Sequence, residues 1–287
     1  MSNTNMQVVC ILPVHNEESF LRHTLDSFLN QSRRPDKIIL VDDGSTDSSY
    51  QIAMEYCESN FPLIDVIQNE KSESHLPGSK VVRAFNSGYK SLDKEFDLVC
   101  KFDADLIFPE NYLERVIQVF EADIRVGIAG GICIIKGADG WVPELVSDQD
   151  HVRGPVKAYS KECFAAIGGL REGMGWDTLD ELLAIFHGFR VACVPELEVK
   201  HLKPTGASYS PKARYYKGEA FYRMGYGFLL TLIASVKLAV SEKSIVRFFD
   251  HMSGFLKGKF SSQSTMVTID AERFIRKNRW ERIRQKV

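Results

Sequence analysis

The sequence lacks the markers of several common protein classes. Its 287 residues include six cysteines but no Cys-x-x-Cys pair, which argues against a zinc site. The cysteines lie mostly in apolar runs, which indicates buried thiols in a reducing compartment. The motifs Gly-x-Gly-x-x-Gly and Gly-x-x-x-x-Gly-Lys-Ser/Thr are also absent. Neither a dinucleotide-binding fold nor a P-loop is therefore supported.

Long apolar runs are missing as well. The uncharged stretch 224–236 is well short of the roughly 20 residues that cross a bilayer. We therefore expect a core helix, or a helix that lies in the plane of a membrane. The start of the chain, 1–7, is polar, and we expect no signal peptide. Together with the cysteine pattern, these absences predict a cytoplasmic protein.

The charge of the chain is close to balanced, but it is unevenly placed. Residues 1–210 contain 20 Lys and Arg against 32 Asp and Glu, whereas 211–287 contain 16 against 6. Such an asymmetry is typical of an appended basic segment with an acidic partner, either nucleic acid or an anionic membrane. The basic segment is also rich in aromatic and aliphatic residues, and this combination favours the membrane.

Apolar runs alternate with amphipathic segments in the first hundred residues. The runs are typical of short strands buried on both faces, and the strands predicted here are 7–14, 37–41, 64–68 and 97–102. Helices predicted between them give a β-α-β-α-β-α-β order, which favours a parallel sheet with right-handed crossovers. Three later strands are predicted, at 152–159, 190–194 and 197–201.

Polar and acidic side chains follow the ends of three of these strands. They are Asn16, Glu17, Asp42, Asp43, Asp103 and Asp105. Open α/β sheets bind their ligands at this edge. Two carboxylates as close as Asp103 and Asp105 repel each other unless a cation lies beside them. Hard oxygen ligands suit Mg²⁺ or Mn²⁺ that is also held by substrate phosphates.

Three motifs occur in a recognisable order. They are Pro13-Val14-His15-Asn16-Glu17, the turn Val41-Asp42-Asp43-Gly44-Ser45-Thr46-Asp47, and Asp103-Ala104-Asp105. The sequence in this respect resembles the inverting glycosyltransferases of family 2, and the resemblance covers about 7–205. It implies the α/β GT-A fold, with a mostly parallel central sheet flanked by helices. The basic charge and the apolar content of the remaining residues predict a helical C-terminal extension.

The resemblance and the charge asymmetry together predict a division of the chain. Residues 1–206 are expected to form the catalytic domain, with a nucleotide-binding half at about 1–109 and an acceptor-binding half at 110–206. Residues 207–287 are expected to form the basic helical extension.

Site roles follow from the resemblance, position by position. Asp43 matches the carboxylate that binds the nucleotide base, Asp103 the ribose contact and Asp105 the metal ligand. The residues expected at the nucleotide are Pro13, Val14, Asn16, Glu17, Asp42, Asp43, Gly78, Lys80, Arg83 and Asp103. The metal, Mn²⁺ or Mg²⁺, is expected on Asp105 and Asp103, with His201 as a third ligand.

The catalytic base is expected at the start of a helix. Family members place an acid there, about eleven residues before a Gly, and counting back from Gly188 reaches Asp177. Asp180 lies one turn further on a similar face of the helix and is the second candidate. Trp176 stands where the family usually has Glu, so the choice between the two acids stays open.

The implied function is that of a hexosyltransferase-like enzyme. It would move a sugar from a nucleoside-diphosphate sugar, with UDP favoured, to a hydroxyl of a saccharide or lipid-linked acceptor in polysaccharide or cell-envelope glycan synthesis. No nucleic-acid partner is expected. Residues 211–287 are expected to bind an anionic membrane surface, which would place the protein peripherally on the inner face of the plasma membrane.

Three other functions fit the sequence less well. An Asp-x-Asp pair after a strand also begins the haloacid-dehalogenase phosphotransfer motif, but here the pair follows the fourth strand and Ile107 occupies the next motif position. A nucleotidyltransferase would need a Gly-rich basic loop where this chain has 13–18. An inactive sugar-nucleotide or membrane-binding module is disfavoured because Asp103, Asp105 and Asp177 are all present.

Overall fold

The computed structural model describes residues 6–69, 78–92, 95–144, 151–203, 215–261 and 263–285. The strands are β1 (Val8–Val14), β2 (Lys37–Asp42), β3 (Ile64–Gln68), β4 (Leu98–Phe102), β5 (Leu106–Ile107), β6 (Val126–Gly137), β7 (Gly140–Pro143), β8 (Val156–Ser160) and β9 (Arg190–His201). The helices are α1 (Leu21–Leu29), α2 (Ser49–Ser59), α3 (Ser79–Lys90), α4 (Tyr112–Ala122), α5 (Lys161–Ala166), α6 (Trp176–Phe186), α7 (Tyr216–Arg223), α8 (Phe228–Ser241), α9 (Ile245–Phe260) and α10 (Ile269–Gln285).

The strands form one sheet in the order β3-β2-β1-β4-β8-β6-β9-β5, with β7 paired to β6. The parallel arrangement expected from the sequence is found in the first four strands of this order. Beyond β4 the sheet is mixed, because β8 runs antiparallel to both β4 and β6, while β6 and β9 are parallel. An apolar run marks a strand but not its direction, so the sequence could not distinguish the two halves.

The strands at the centre of the sheet are buried on both faces. Every residue of β4 is buried, and so is every residue of β1 except Pro13. Helix α3 lies directly on β1 and β2 at Gly88, where an added Cβ would lie 2.7 Å from Ile11 Cγ2 and 2.8 Å from Val41 Cγ2. The parallel pairing of β1 with β2 and with β4 brings the carboxyl ends of the three strands to one edge.

Strand β6 and two short strands were not predicted, and two predicted strands form a single strand. β5 and β7 are only two and four residues long, too short for a periodic pattern. β9 continues through Pro195, and its register against β6 shifts between Gly130 and Ile132. A proline cannot donate to a neighbouring strand, which is why the sequence favoured a break at this point.

The chain after 215 is helical, as expected. α7 and α9 approach closely at Gly218, where a Cβ would overlap the carbonyl oxygen of His251, and α10 contacts α6. The boundary predicted at 206 lies outside the described residues. Within the described ranges, no helix has both the length and the apolar character needed to cross a bilayer.

Candidate active site

The turns after β1 and β2 brace each other through Asn16. Its side-chain Oδ1 accepts a hydrogen bond from the backbone N–H of Thr46 at 2.8 Å, and its own N–H donates to Ser45 Oγ at 3.1 Å. Asn16 has a φ of 56°, a left-handed conformation that Asn tolerates better than most residues. The polar motif after β1 therefore supports the turn that carries the two acids of β2.

Asp42 and Asp43 have different environments. Asp42 is buried and accepts a hydrogen bond from the N–H of Ser45 at 3.2 Å, so it closes its own turn. The backbone N–H of Asp43 donates to the carbonyl of Val14 at 2.9 Å, while no hydrogen bond to its carboxylate is present among the described residues. Asp43 is thus the acid of this turn that remains available to a ligand.

Asp103 lies directly after β4 and forms an ion pair with Lys101. Lys101 is buried within that strand, and its ammonium lies 5.3 Å from the centre of the Trp176 ring. Gly154 makes room for this ring, since a Cβ there would lie 2.8 Å from it. Trp176 is therefore a core residue beneath the Asp-x-Asp motif, which accounts for the departure from the family pattern at this position.

Asp105 and His201 meet at the same edge of the sheet. Their Oδ2 and Nε2 atoms are 3.4 Å apart, because β5 pairs with the end of β9. The other ring nitrogen, Nδ1, lies 2.7 Å from Glu144 Oε2, and Glu144 is in turn paired with Arg153. Burial opposes a charge on the ring, yet the two carboxylates raise the pKa of His201 to about 9.

Two buried carboxylate oxygens at this edge have no hydrogen-bond partner among the described residues. They are Oδ1 of Asp105 and Oε2 of Glu17. The other oxygen of Glu17 pairs with Lys203 at 2.9 Å, and burial raises the pKa of Glu17, with Asp105 adding to the effect. A buried oxygen without a partner is costly, so these atoms mark the place where a cation fits.

Cys133, Glu144 and His201 also offer atoms within 4.8 Å of one another. Burial raises the pKa of the Cys133 thiol to about 12. Sulfur is also a soft ligand, which suits Mn²⁺ or Mg²⁺ less well than oxygen or imidazole nitrogen does. The carboxylates and the imidazole are therefore the better donor set for Mn²⁺ or Mg²⁺.

Gly78 and Arg83 contact the loop before α6. A Cβ on Gly78 would lie 2.6 Å from the carbonyl oxygen of Gly173, and Arg83 Nε lies 3.6 Å from Glu172 Oε2. Lys80, in the first turn of α3, has no ion pair within the described residues. The start of α3 thus joins the nucleotide half of the domain to the loop that leads to Asp177.

Asp177, the second residue of α6, lies beside a histidine that the sequence did not identify. His151 Nε2 is 3.7 Å from Asp177 Oδ2, and His151 Nδ1 is 2.8 Å from Glu181 Oε2. Burial works against ionisation of Asp177, but His151 and Lys157 lower its pKa to about 2. The carboxylate is therefore ionised throughout the neutral range.

Asp180, one turn further along α6, is engaged in the core. It accepts hydrogen bonds from Lys157 Nζ at 2.6 Å and from the hydroxyl of Tyr159 at 2.5 Å. Burial raises its pKa to about 6 against the opposing effect of Lys157. Both carboxylate oxygens are thus occupied by β8, and Asp180 holds α6 on the sheet.

Two of the residues that sequence reasoning missed could have been recognised from the sequence pattern around them. Lys101 and Lys157 are each a single charge within a buried apolar strand, and such a charge requires a buried partner. Glu144 and His151 lie outside any periodic segment, so nothing in the sequence connected them with His201 or Asp177.

Comparison with known proteins agrees with this fold. The "Minor teichoic acid biosynthesis protein GgaA" of Bacillus subtilis is 33% identical over 122 residues, which cover 42% of this chain and 26% of that protein. The mannosyltransferase PcManGT of Pyrobaculum calidifontis, solved with GDP-Man and Mn²⁺, superposes with a TM-score of 0.58 at 17% identity, over 88% of this chain and 69% of that one. S. aureus TarS, solved with UDP-GlcNAc, superposes with a TM-score of 0.58 at 20% identity, over 90% of this chain and 73% of that one.

The chain thus spans about a quarter of the length of the teichoic acid protein. The similarity to the two solved structures confirms the GT-A fold. Residues 9–147 match the family described as Glycosyl transferase family 2. This match confirms the resemblance seen in the three motifs. The chain therefore carries a glycosyltransferase domain of family 2.

Proposed function

We propose that the protein is an inverting glycosyltransferase that moves a sugar from a nucleoside-diphosphate sugar to a hydroxyl of a saccharide or lipid-linked acceptor. The observation that carries the proposal is the pairing of Asp105 and His201 at the ligand-binding edge, with one Asp105 oxygen buried and unpartnered. A haloacid-dehalogenase phosphotransfer enzyme would not need the second acidic turn at Asp42 and Asp43.

The nucleotide would bind across the ends of β1, β2 and β4. Asp43, whose carboxylate is free of hydrogen bonds from the described residues, would bind the base, and Asp103 the ribose. Pro13, Val14, Asn16, Glu17 and Asp42 would line or support this pocket, with Gly78, Lys80 and Arg83 at its α3 side. UDP is favoured, and TarS was solved with UDP-GlcNAc, although PcManGT was solved with GDP-Man.

The proposed cation site consists of Asp105, Asp103 and His201. Mn²⁺ or Mg²⁺ held there would neutralise charge on the diphosphate leaving group. Glu144 accepts the Nδ1 proton of His201, and Arg153 holds Glu144 in place. A bound cation would displace the proton that the raised pKa keeps on Nε2. PcManGT was solved with Mn²⁺, and this supports the same cation here.

Asp177 is the proposed general base, in preference to Asp180. Both oxygens of Asp180 accept hydrogen bonds from buried donors, whereas the Asp177 side chain is one-third exposed. An acceptor hydroxyl must lose its proton as it attacks the anomeric carbon. Because a carboxylate of low pKa is a weak base, it would take the proton late, when the new bond has already made the hydroxyl acidic.

The acceptor and the process are inferred from chemistry and from a relative. The name of GgaA refers to teichoic acid synthesis, which supports a role in cell-envelope glycan or polysaccharide synthesis. We place the protein in the cytoplasm, where nucleotide sugars are made. An inactive binding module would not need an ionised acid in the first turn of α6. In this chain Asp177 is such an acid.

Thermal-shift measurements with UDP and GDP, each with and without Mn²⁺, test the donor site. A nucleoside diphosphate that binds the folded state should raise the melting temperature, and more strongly with Mn²⁺. Asp105→Ala should remove the metal-dependent part, and Asp139→Ala, an exposed acid in the β6–β7 turn, is the matched control. Equal shifts in the wild type and Asp105→Ala would refute the site.

Hydrolysis of a panel of sugar nucleotides by the wild-type protein then identifies the donor. Release of a nucleoside diphosphate from one sugar nucleotide, lost in Asp105→Ala, would support transferase chemistry. Metal-dependent binding without turnover of any donor or acceptor would favour the inactive module instead.

A further inference from the structure

The helical extension exposes an unusual amount of apolar surface. Ten large apolar side chains of α8 and α9 are at least 37% exposed, namely Phe228, Leu229, Ile233, Val236, Val240, Ile245, Val246, Phe249, Leu256 and Phe260. Elsewhere in the described ranges, only five large apolar side chains are exposed to this degree. An apolar surface of this extent marks an interaction site in a protein of this class. We call these ten side chains the α8–α9 face.

The exposed positions follow the helical repeat. Along α8, Leu229, Ile233, Val236 and Val240 are spaced four, three and four residues apart, which places them on one side. The opposite side of α8 is buried, and α9 packs closely on α7, where a Cβ on Gly254 would overlap the carbonyl oxygen of Tyr215. Each helix therefore uses one side for the fold and keeps its other side outward.

The charges among these apolar side chains all have one sign. The exposed residues of α8 and α9 include Lys237, Arg247, Lys257 and Lys259 but no Asp or Glu. Arg247 pairs with Glu242 in the turn between the helices, while the three lysines have no ion pair in the described part of the chain. The surface thus combines apolar anchors with uncompensated positive charge.

We propose that the α8–α9 face docks on the surface of an anionic phospholipid bilayer, with the apolar side chains among the acyl chains and the lysines at the headgroups. A second copy of the chain fits less well, because a symmetric contact would bring the same lysines together. Anionic lipid supplies the opposite charge, at about 1 kcal/mol for each Lys or Arg near the surface. With 14 and 16 residues, both helices would lie in the interface.

The position of the extension gives this docking a consequence for the catalytic domain. Met224, at the end of α7, lies against Gly175 at the start of α6, and Arg223 lies against Gly173. The backbone N–H of Met266 also donates to the carbonyl of Arg223 at 2.7 Å. The extension is therefore held against the loop that leads to Asp177. Docking would orient this loop relative to the membrane, whether or not the proposed transfer reaction is correct.

Flotation of the full chain with phosphatidylglycerol vesicles tests the proposal. We expect the wild type to float at low salt, to float less at high salt, and to remain in the soluble fraction with phosphatidylcholine vesicles. Phe249→Ser with Phe260→Ser should weaken vesicle binding by about tenfold or more, because each Phe loses its burial in the lipid. Ile124→Ser, at a 94% exposed residue of the catalytic domain, is the matched control and should float normally.

Circular dichroism and sedimentation without lipid complete the test. Both side chains are more than 60% exposed, so the double variant should melt like the wild type. Failure of the wild type to float at low salt would overturn the proposal, and so would equal flotation of the double variant. A dimer in solution that the double substitution converts to a monomer would assign the face to a second copy instead.

Discussion

Lys157 and Asp180 form a fully buried ion pair, with Nζ 2.6 Å from Oδ1, between β8 and α6. Tyr159 donates to the second oxygen of the same carboxylate. Removal of one member of such a pair leaves a buried charge without its partner. The pair therefore fixes the helix whose first turn carries the proposed catalytic base.

Lys157→Met should destabilise the protein by about 3–5 kcal/mol, the usual cost of breaking a buried pair from one side. Urea unfolding followed by circular dichroism measures the effect. The double variant Lys157→Met with Asp180→Leu removes both charges and should recover part of the loss. An unchanged midpoint in Lys157→Met would show that the pair does not hold α6.

Asp177→Asn should lower turnover by about 10²-fold or more while the affinity for the donor stays near that of the wild type, because only proton removal is lost. Product formation and nucleotide binding are measured on the same preparation. Asp180→Asn is the comparison, and there we expect loss of stability before loss of chemistry. If Asp177→Asn is active and Asp180→Asn is folded but inactive, the base is Asp180, one helical turn further on.

His151 should make stability depend on pH. Burial opposes its charge, but Asp177 and Glu181 raise the pKa of His151 to about 9, above its value of about 6.5 in an unfolded chain. Folding therefore favours the protonated ring. The contribution is complete below about pH 6.5 and is lost as the pH rises through 9, and its full size is about 3 kcal/mol.

The difference in unfolding free energy between the wild type and His151→Gln isolates this contribution. It should be largest near pH 6 and shrink towards pH 9 and above, as expected for a raised pKa. His201, whose pKa is also about 9, is present in both proteins and cancels in the difference. A difference that does not change with pH would contradict a charged His151.

Glu144→Gln should weaken Mn²⁺ binding by about 10–100-fold, the usual effect of losing the carboxylate that orients a ligating histidine. Electron paramagnetic resonance of free Mn²⁺ measures the affinity without requiring turnover. Glu198→Gln, an exposed residue of β9, is the matched control. Equal Mn²⁺ affinity in the two variants would show that Glu144 does not support the cation site.

Gly218→Ala should destabilise the extension by about 1–3 kcal/mol or more, because the added methyl group overlaps the backbone of α9 at His251. Protease digestion of 215–285 should accelerate in parallel. Gly227→Ala, where the nearest atom would lie 3.5 Å away, should leave both measurements unchanged. A stable Gly218→Ala would mean that α7 and α9 can separate at little cost.

Local patterns in the sequence were sufficient for the strands and for the acids that follow them. Apolar runs mark β1, β2, β3 and β4, and parallel strands in this order bring their carboxyl ends to one edge. The family could also be predicted, because its three motifs are short, consecutive in the chain and tied to those strand ends. The helical nature of the extension followed from its aromatic and aliphatic content.

The contacts between distant segments could be known only from the folded chain. Glu144, His151 and Lys157 reach His201, Asp177 and Asp180 across 20 to 57 positions of sequence, and no periodicity connects such pairs. The choice between Asp177 and Asp180 is of the same kind, because both acids fit the sequence pattern. Their difference arises from β8, which runs antiparallel beside β4 and donates two hydrogen bonds to the carboxylate of Asp180 but none to that of Asp177.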